Sequence, residues 1–116
     1  MEKVFDFVSY GEKRRIVFGK TSYRNNNTLA VLMLEIMPDG SEESYATLTV
    51  NLEQSDWLCA SGTCAFIDTN NLGENIVDWL VDNGLAKKTG TYGQSGWCSY
   101  PLVVFTDEAL GFMRAL

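Results

Sequence analysis

The chain opens with apolar residues at Val4, Phe5, Phe7 and Val8, a strand-like run that Gly11 should end. Residues 15–18 read as a second strand, and residues 20–28, centred on Asn25-Asn26-Asn27, as a polar loop. Residues 29–36 are aliphatic over a length that suits a buried strand, although period alone leaves a short helix open. Pro38-Asp39-Gly40 predicts a turn, because proline presets φ and glycine accepts positive φ. Beyond it Tyr45, Thr47, Thr49 and Asn51 alternate with Ala46, Leu48, Val50 and Leu52. That two-residue period predicts an antiparallel hairpin with one solvated face.

Residues 53–63 look irregular, with a short helical turn around Trp57, and residues 64–67 look like another strand. Asn71 then stands as a helix N-cap, with Glu74 in the capping-box position three residues later. Leu72, Ile76, Trp79 and Leu80 share one face of that helix, and Gly84 occupies the place of a C′ glycine. A glycine-rich loop over residues 89–96 leads to a strand at 102–105. Thr106 caps a last short helix reaching Met113, with Asp107 and Glu108 favourable against its dipole. Runs of strand followed by helix predict an α+β fold, an antiparallel sheet of about five strands with two helices packed on one face. Ser61-Gly62-Thr63-Cys64-Ala65-Phe66 is echoed by Ser95-Gly96-Trp97-Cys98-Ser99-Tyr100. The echo reads as the same bend entering a strand twice, with an early buried cysteine.

Size and composition place that pattern in one domain, residues 1–116, able to bury a core without disulfides or metals. Hydrophobic residues make up 46% and charged residues 21%, which excludes wholesale disorder. The longest apolar stretch, residues 29–34, is far too short to span a bilayer. The N-terminus lacks the charged and apolar regions of a signal peptide, and three cysteines do not make a disulfide framework. Both point to a reducing cytoplasm.

Charge is distributed unevenly. The net charge is -6, yet residues 1–24 carry six cations against three acids. From 25 to 86 there is no lysine or arginine and there are ten acids. Such a body repels phosphates, so binding of nucleic acid or anionic membrane by the whole domain is disfavoured.

With no histidine, the commonest general base, the Ser-His and Cys-His pairs and most catalytic zinc sites are removed. Cys59, Cys64 and Cys98 lack a nearby helix start or lysine to activate them, and read as buried and inert. Zinc lacks a fourth soft ligand, so no metal or cofactor is expected. Gly90, Gly93 and Gly96 follow Lys87-Lys88 without the Gly-Lys-Ser/Thr of a phosphate loop. Tyr92 and Trp97 make that segment a candidate protein-contact loop instead. Glu74, Asp78 and Asp82 recur every four residues, a stripe along one helix face with no alternating cation. The stripe suits docking to a basic partner. Conversely, Lys13, Arg14, Arg15, Lys20 and Arg24 lie near Tyr10, Phe18 and Tyr23, a basic and aromatic mixture that suits single-stranded nucleic acid.

Residues 65–71 (Ala-Phe-Ile-Asp-Thr-Asn-Asn), Thr89-Gly90 and residues 94–101 (Gln-Ser-Gly-Trp-Cys-Ser-Tyr-Pro) carry a resemblance. They resemble an uncharacterised family of small proteins encoded on bacterial mobile elements such as conjugative elements and prophages. The likeness covers mainly residues 64–110, and no catalytic residue carries over from it. It implies an accessory protein that acts by binding. The expected function is therefore a non-enzymatic protein-binding domain, an acidic inhibitor or regulator of a nucleic-acid-handling protein. The alternatives are single-strand binding through residues 10–24, or a small enzyme with a carboxylate or thiol site.

Overall fold

A computed structural model describes residues 3–116, so Met1 and Glu2, where the N-terminal reading begins, lie outside the described residues. β1 (Phe5–Ser9) and β2 (Glu12–Ser22) form an antiparallel hairpin. Its two-residue turn needs positive φ at both central positions, which Tyr10 (52°) and Gly11 (76°) adopt. β3 (Leu29–Ile36) has the expected span and pairs with β2 from Ser22↔Leu29 to Ile16↔Glu35. Lys20, Thr21 and Ser22, expected in a loop, are therefore strand. Ladder bonds to the apolar β3 hold them there, and their own polarity gives no sign of it. The turn at residues 37–41 forms as expected, with the Met37 N–H donating to the Ser41 carbonyl at 2.8 Å, and returns the chain to β4 (Glu42–Thr47).

Leu48 divides the alternation that reads as one hairpin. Its N–H donates to the Val31 carbonyl in the first sheet, while its carbonyl accepts the Asp68 N–H. β5 (Thr49–Val50) then pairs with β6 (Cys64–Ile67) in a second sheet. That sheet runs β5-β6-β8-β7, with β7 (Ala86–Ser95) and β8 (Cys98–Phe105) forming a long hairpin. The first sheet runs β1-β2-β3-β4, and β9 (Arg114–Ala115) adds to β2 in parallel. Among the described residues the architecture is two sheets, of five and four strands. It replaces the expected single sheet of about five strands beneath two helices. A period of two marks a strand but not the sheet it joins, and both β9 and most of β7 lack an apolar pattern altogether.

Helix boundaries also move. Asp68, not Asn71, is the cap: its Oδ1 accepts the Asn71 N–H at 3.1 Å and its Oδ2 the Asn71 side-chain amide at 2.8 Å. α1 (Thr69–Leu72) lasts one turn and stops at Gly73, whose φ of 91° lies outside helical space. α2 (Ile76–Asp82) starts afresh and ends before Gly84, as expected. α3 (Asp107–Phe112) is capped by Thr106, whose hydroxyl accepts the Ala109 N–H at 3.1 Å. Among the described residues no helix is long and apolar enough to cross a membrane.

Strand alternation sorts β6 between two cores. Ala65 and Ile67 face a large cluster with Ile16, Phe18, Val31 and Met33 of the first sheet and Ile76 and Leu80 of α2. Cys64 and Phe66 face a smaller cluster with Leu52, Cys59 and Leu102, under a 3-10 helix spanning Glu53–Cys59. Burying each large apolar side chain contributes about 1.5–3 kcal/mol, so the second sheet is anchored from both faces. At the first sheet, the Trp79 ring lies 5.0 Å from Phe7 and 6.0 Å from Phe18, tying α2 to β1 and β2. Arg114 completes the fold with a bidentate pair to Glu42 at 2.6 and 2.7 Å, which holds that carboxyl below its ordinary range.

Candidate partner-binding cleft

Past the cover of α2, the inner face of the β7–β8 hairpin continues as the floor of an open cleft of about 350 Å³. Lys88, Tyr92, Ser99 and Pro101 lie on that floor, and Glu74, Val77 and Asp78 stand along the helical wall. Residues expected in a loop form this floor because they pair with β8: Tyr92↔Pro101, Gln94↔Ser99 and Ser95↔Cys98. The ladder is interrupted between Lys88 and Tyr92. There the Thr89 hydroxyl donates to the Leu102 carbonyl at 2.8 Å and accepts the Thr91 N–H at 3.1 Å, stabilising the bulge. Gly93 is buried beneath Leu52 and Phe66, and any Cβ there would come within 2.7 Å of both. The glycines thus serve a bulge, a close approach and a tight turn, which explains why a glycine-rich stretch is a strand.

The hairpin tip presents Trp97, fully exposed, and Tyr92 is 63% exposed beside the cleft. Within the cleft, Lys88 Nζ contacts Asp78 Oδ1 at 2.6 Å. Hydrogen bonding and then the charge of Asp78 raise the Lys88 pKa. The acidic stripe is therefore corrected in two ways. Glu74 precedes α2 and shares no helix with Asp78 and Asp82, and Lys88 supplies the cation that the local sequence lacks. Glu74, Asp78 and Tyr92 line one cleft; Asp82 lies outside its lining, and Trp97 stands at the tip. Lys88 is the residue that sequence reasoning missed. Its only signal is Gly84, which turns α2 back onto β7 and so brings residue 88 beside residue 78.

The basic and aromatic residues of 10–24 do not share a surface. Alternation along β2 sends Lys13 and Arg15 to one face and Arg14 and Lys20 to the other. Lys13 pairs with Asp6 at 3.3 Å and Arg14 with Glu35 at 3.0 Å, while Lys20 donates to the Leu110 carbonyl at 2.7 Å. Arg24 is exposed beyond the end of β2. Phe18 is in the core, and the Tyr23 hydroxyl bonds Thr49 Oγ1 at 2.9 Å. Of the three rings, Tyr10 alone is fully open to solvent.

All three cysteines are free. Burial, then the neighbouring Cys64 and Asp56, push the Cys59 thiol up to about 11. Alkylation by iodoacetamide at pH 8 should therefore leave Cys59 essentially unmodified in the native protein and modify it after denaturation. Mass mapping of the alkylated cysteines checks this; rapid native labelling at Cys59 would contradict it. Because its folded pKa is raised, the associated stabilisation is complete below the ordinary value of 9.0 and is lost as pH rises towards 11. Among the described residues, no three acidic or cysteine side chains are grouped to hold a metal ion.

Residues 19–113 match the family model of DUF4313, a domain of unknown function. The chain belongs to this family. Its matched span contains α1, α2, β7 and β8, so the entire cleft is built from the DUF4313 region, whereas β1 lies before it. Comparison with curated proteins and with solved structures returned no match.

Proposed function

We propose that this DUF4313 chain is a non-enzymatic protein-binding domain, an accessory protein of a bacterial mobile element that regulates a nucleic-acid-handling protein in the cytoplasm. The carrying observation is the exposed Trp97 at the tip of the hairpin that also carries Tyr92 and the floor of the cleft lined by Glu74 and Asp78. An exposed tryptophan leaves a large apolar area in water that a partner can desolvate, and aromatic anchors of this type dominate interface energies. Glu74 on the rim, with no ion pair among the described residues, favours a basic partner surface and its fast encounter. Binding is favoured over catalysis because Asp78 and Lys88 are committed to each other, and the buried Cys59 is held as a thiol.

Affinity capture from cells carrying the parent element tests the reading. Trp97→Ala should weaken capture of the specific partner by about 2 kcal/mol or more, roughly thirtyfold, with little effect on melting. Glu74→Lys should weaken it further and reduce its salt dependence. Capture unchanged by both substitutions would sink the proposal.

A further inference from the structure

β1 is an edge strand, since β9 meets β2 beyond the end of β1. The tight turn determines which of its backbone groups are used. Ser9 and Glu12 close the turn as a hydrogen-bonded pair, so Phe7↔Arg14 and Phe5↔Ile16 exchange bonds as well. The N–H and C=O groups of Asp6 and Val8 consequently face away from β2. An independent contact fits that direction: the Asp6 carbonyl accepts the Trp79 indole N–H at 3.0 Å. Among the described residues no backbone bond reaches Val8 from outside the ladder, and Val8 is 65% exposed.

Along this edge runs a groove of about 550 Å³, between β1 and the connection joining α1 to α2. Its buried lining includes Phe7 and Ile76, with Leu72 and Trp79 half-buried, and its exposed rim includes Asn71, Glu74 and Asn75. The volume lies in the range of about 300–1,000 Å³ typical of ligand sites. With the Asp6 carbonyl held by Trp79, the groups left on the β1 side are the Asp6 N–H and the N–H and C=O of Val8. They are spaced as on a strand, which a second extended backbone satisfies and a compact ligand does not. The lining contains no lysine or arginine, and its other acid, Asp6, is already paired with Lys13. Among the described residues Glu74 has no ion pair, and it is the charge left to be complemented.

We infer that this groove takes an extended segment of a partner protein as an added strand on β1. The segment places an apolar side chain over the half-buried Leu72 and Trp79 and a lysine or arginine beside Glu74. The inference rests on the protein-binding reading and shares Glu74 with its cleft, but it does not use Trp97, so variants at Trp97 and Val8 let the two fail separately.

The test uses the isotope-labelled full chain and a capped heptapeptide of alternating valine and lysine. Two controls accompany it: the same peptide N-methylated at alternate backbone nitrogens, and a valine–glutamate counterpart. Free in solution, the Val8 amide should exchange rapidly while Phe7 and Ser9 are protected. With the valine–lysine peptide, Val8 exchange should slow by about tenfold or more, with shifts at Ile76 and the Trp79 indole. Neither control should do this. Val8→Pro should abolish binding and leave the β1–β2 ladder intact, since proline is tolerated where an edge N–H faces solvent.

No response at about 1 mM peptide, a millimolar dissociation constant being the weakest binding of interest, would overturn the inference. So would binding by the N-methylated peptide or protection of Val8 without peptide. Protection that rises with protein concentration alone would assign the edge to a second copy and overturn it too. Equal binding of the glutamate peptide would remove the role of Glu74. If Val8→Pro does not fold, the N-methylated peptide makes the same discrimination on the native chain. Partner capture lost with Trp97→Ala, while Val8 ignores the peptide, would discard the groove and keep the protein-binding reading.

Discussion

Truncating Phe66 to alanine is expected to lower the unfolding free energy by about 3–5 kcal/mol. Phe66 is 1% exposed and pairs with Leu102 on one side and Val50 on the other, at the centre of the second sheet. Its ring fills the space between Leu52, Cys59 and Leu102, a small cluster with few neighbours able to relax into a void. Gly93 lies beneath the same ring, where an added Cβ would meet Phe66 Cε1 at 2.7 Å. Gly93→Ala should therefore destabilise by about 1–3 kcal/mol through overpacking. In the Phe66→Ala background that cost should largely vanish, leaving a coupling of about 0.5–3 kcal/mol. Urea unfolding of the two single variants and the double variant measures all three quantities. Additive effects would show that the ring and the glycine do not share space.

The second large effect is expected at Trp79, where substitution by alanine should destabilise by about 3 kcal/mol, the low end for a large aromatic because the ring is only half-buried. The ring packs against Phe5, Phe7 and Phe18, and its indole N–H caps an edge carbonyl of β1. Trp79→Phe separates the two roles. It keeps most of the aromatic contact and removes the bond to Asp6, so it should cost about 0.5–1.5 kcal/mol. Faster amide exchange in β1 than in β3 should accompany either change, because α2 holds the first sheet through this contact. Uniform acceleration across the sheet would contradict that assignment.

Phe66 and Trp79 also mark how much was legible beforehand. Trp79 falls on the apolar face of a periodic segment, and its orientation follows from that spacing with Ile76 and Leu80. Phe66 falls in a short, continuously apolar run that reads as a strand but gives no sign of two separate cores. Gly93 misleads: in sequence it reads as part of a loop, whereas in the fold it is required by an aromatic ring overhead. The same applies to the acidic residues. Glu74, Asp78 and Asp82 have helical spacing, yet Gly73 ends α1 ahead of Glu74 and α2 begins only at Ile76. Lys88 reaches Asp78 through a chain reversal that charge patterning does not reveal. A four-residue repeat in charge is a weak signal, because no burial energy enforces it.

Sequence alone determined the local elements that carry their own energetics. The turn before β4, the cap at Thr106 and the Gly84 stop each depend on side chains within a few residues. It also determined the absence of histidine and the cation-free stretch from 25 to 86. Tertiary structure decided where those elements meet: the switch of sheets at Leu48, the parallel addition of β9, and the pairing that makes a strand of the glycine-rich segment. It decided the cleft and the β1 groove as well. Both arise where the chain's own cover ends, and which backbone or side chain is left uncovered depends on contacts between residues far apart in sequence.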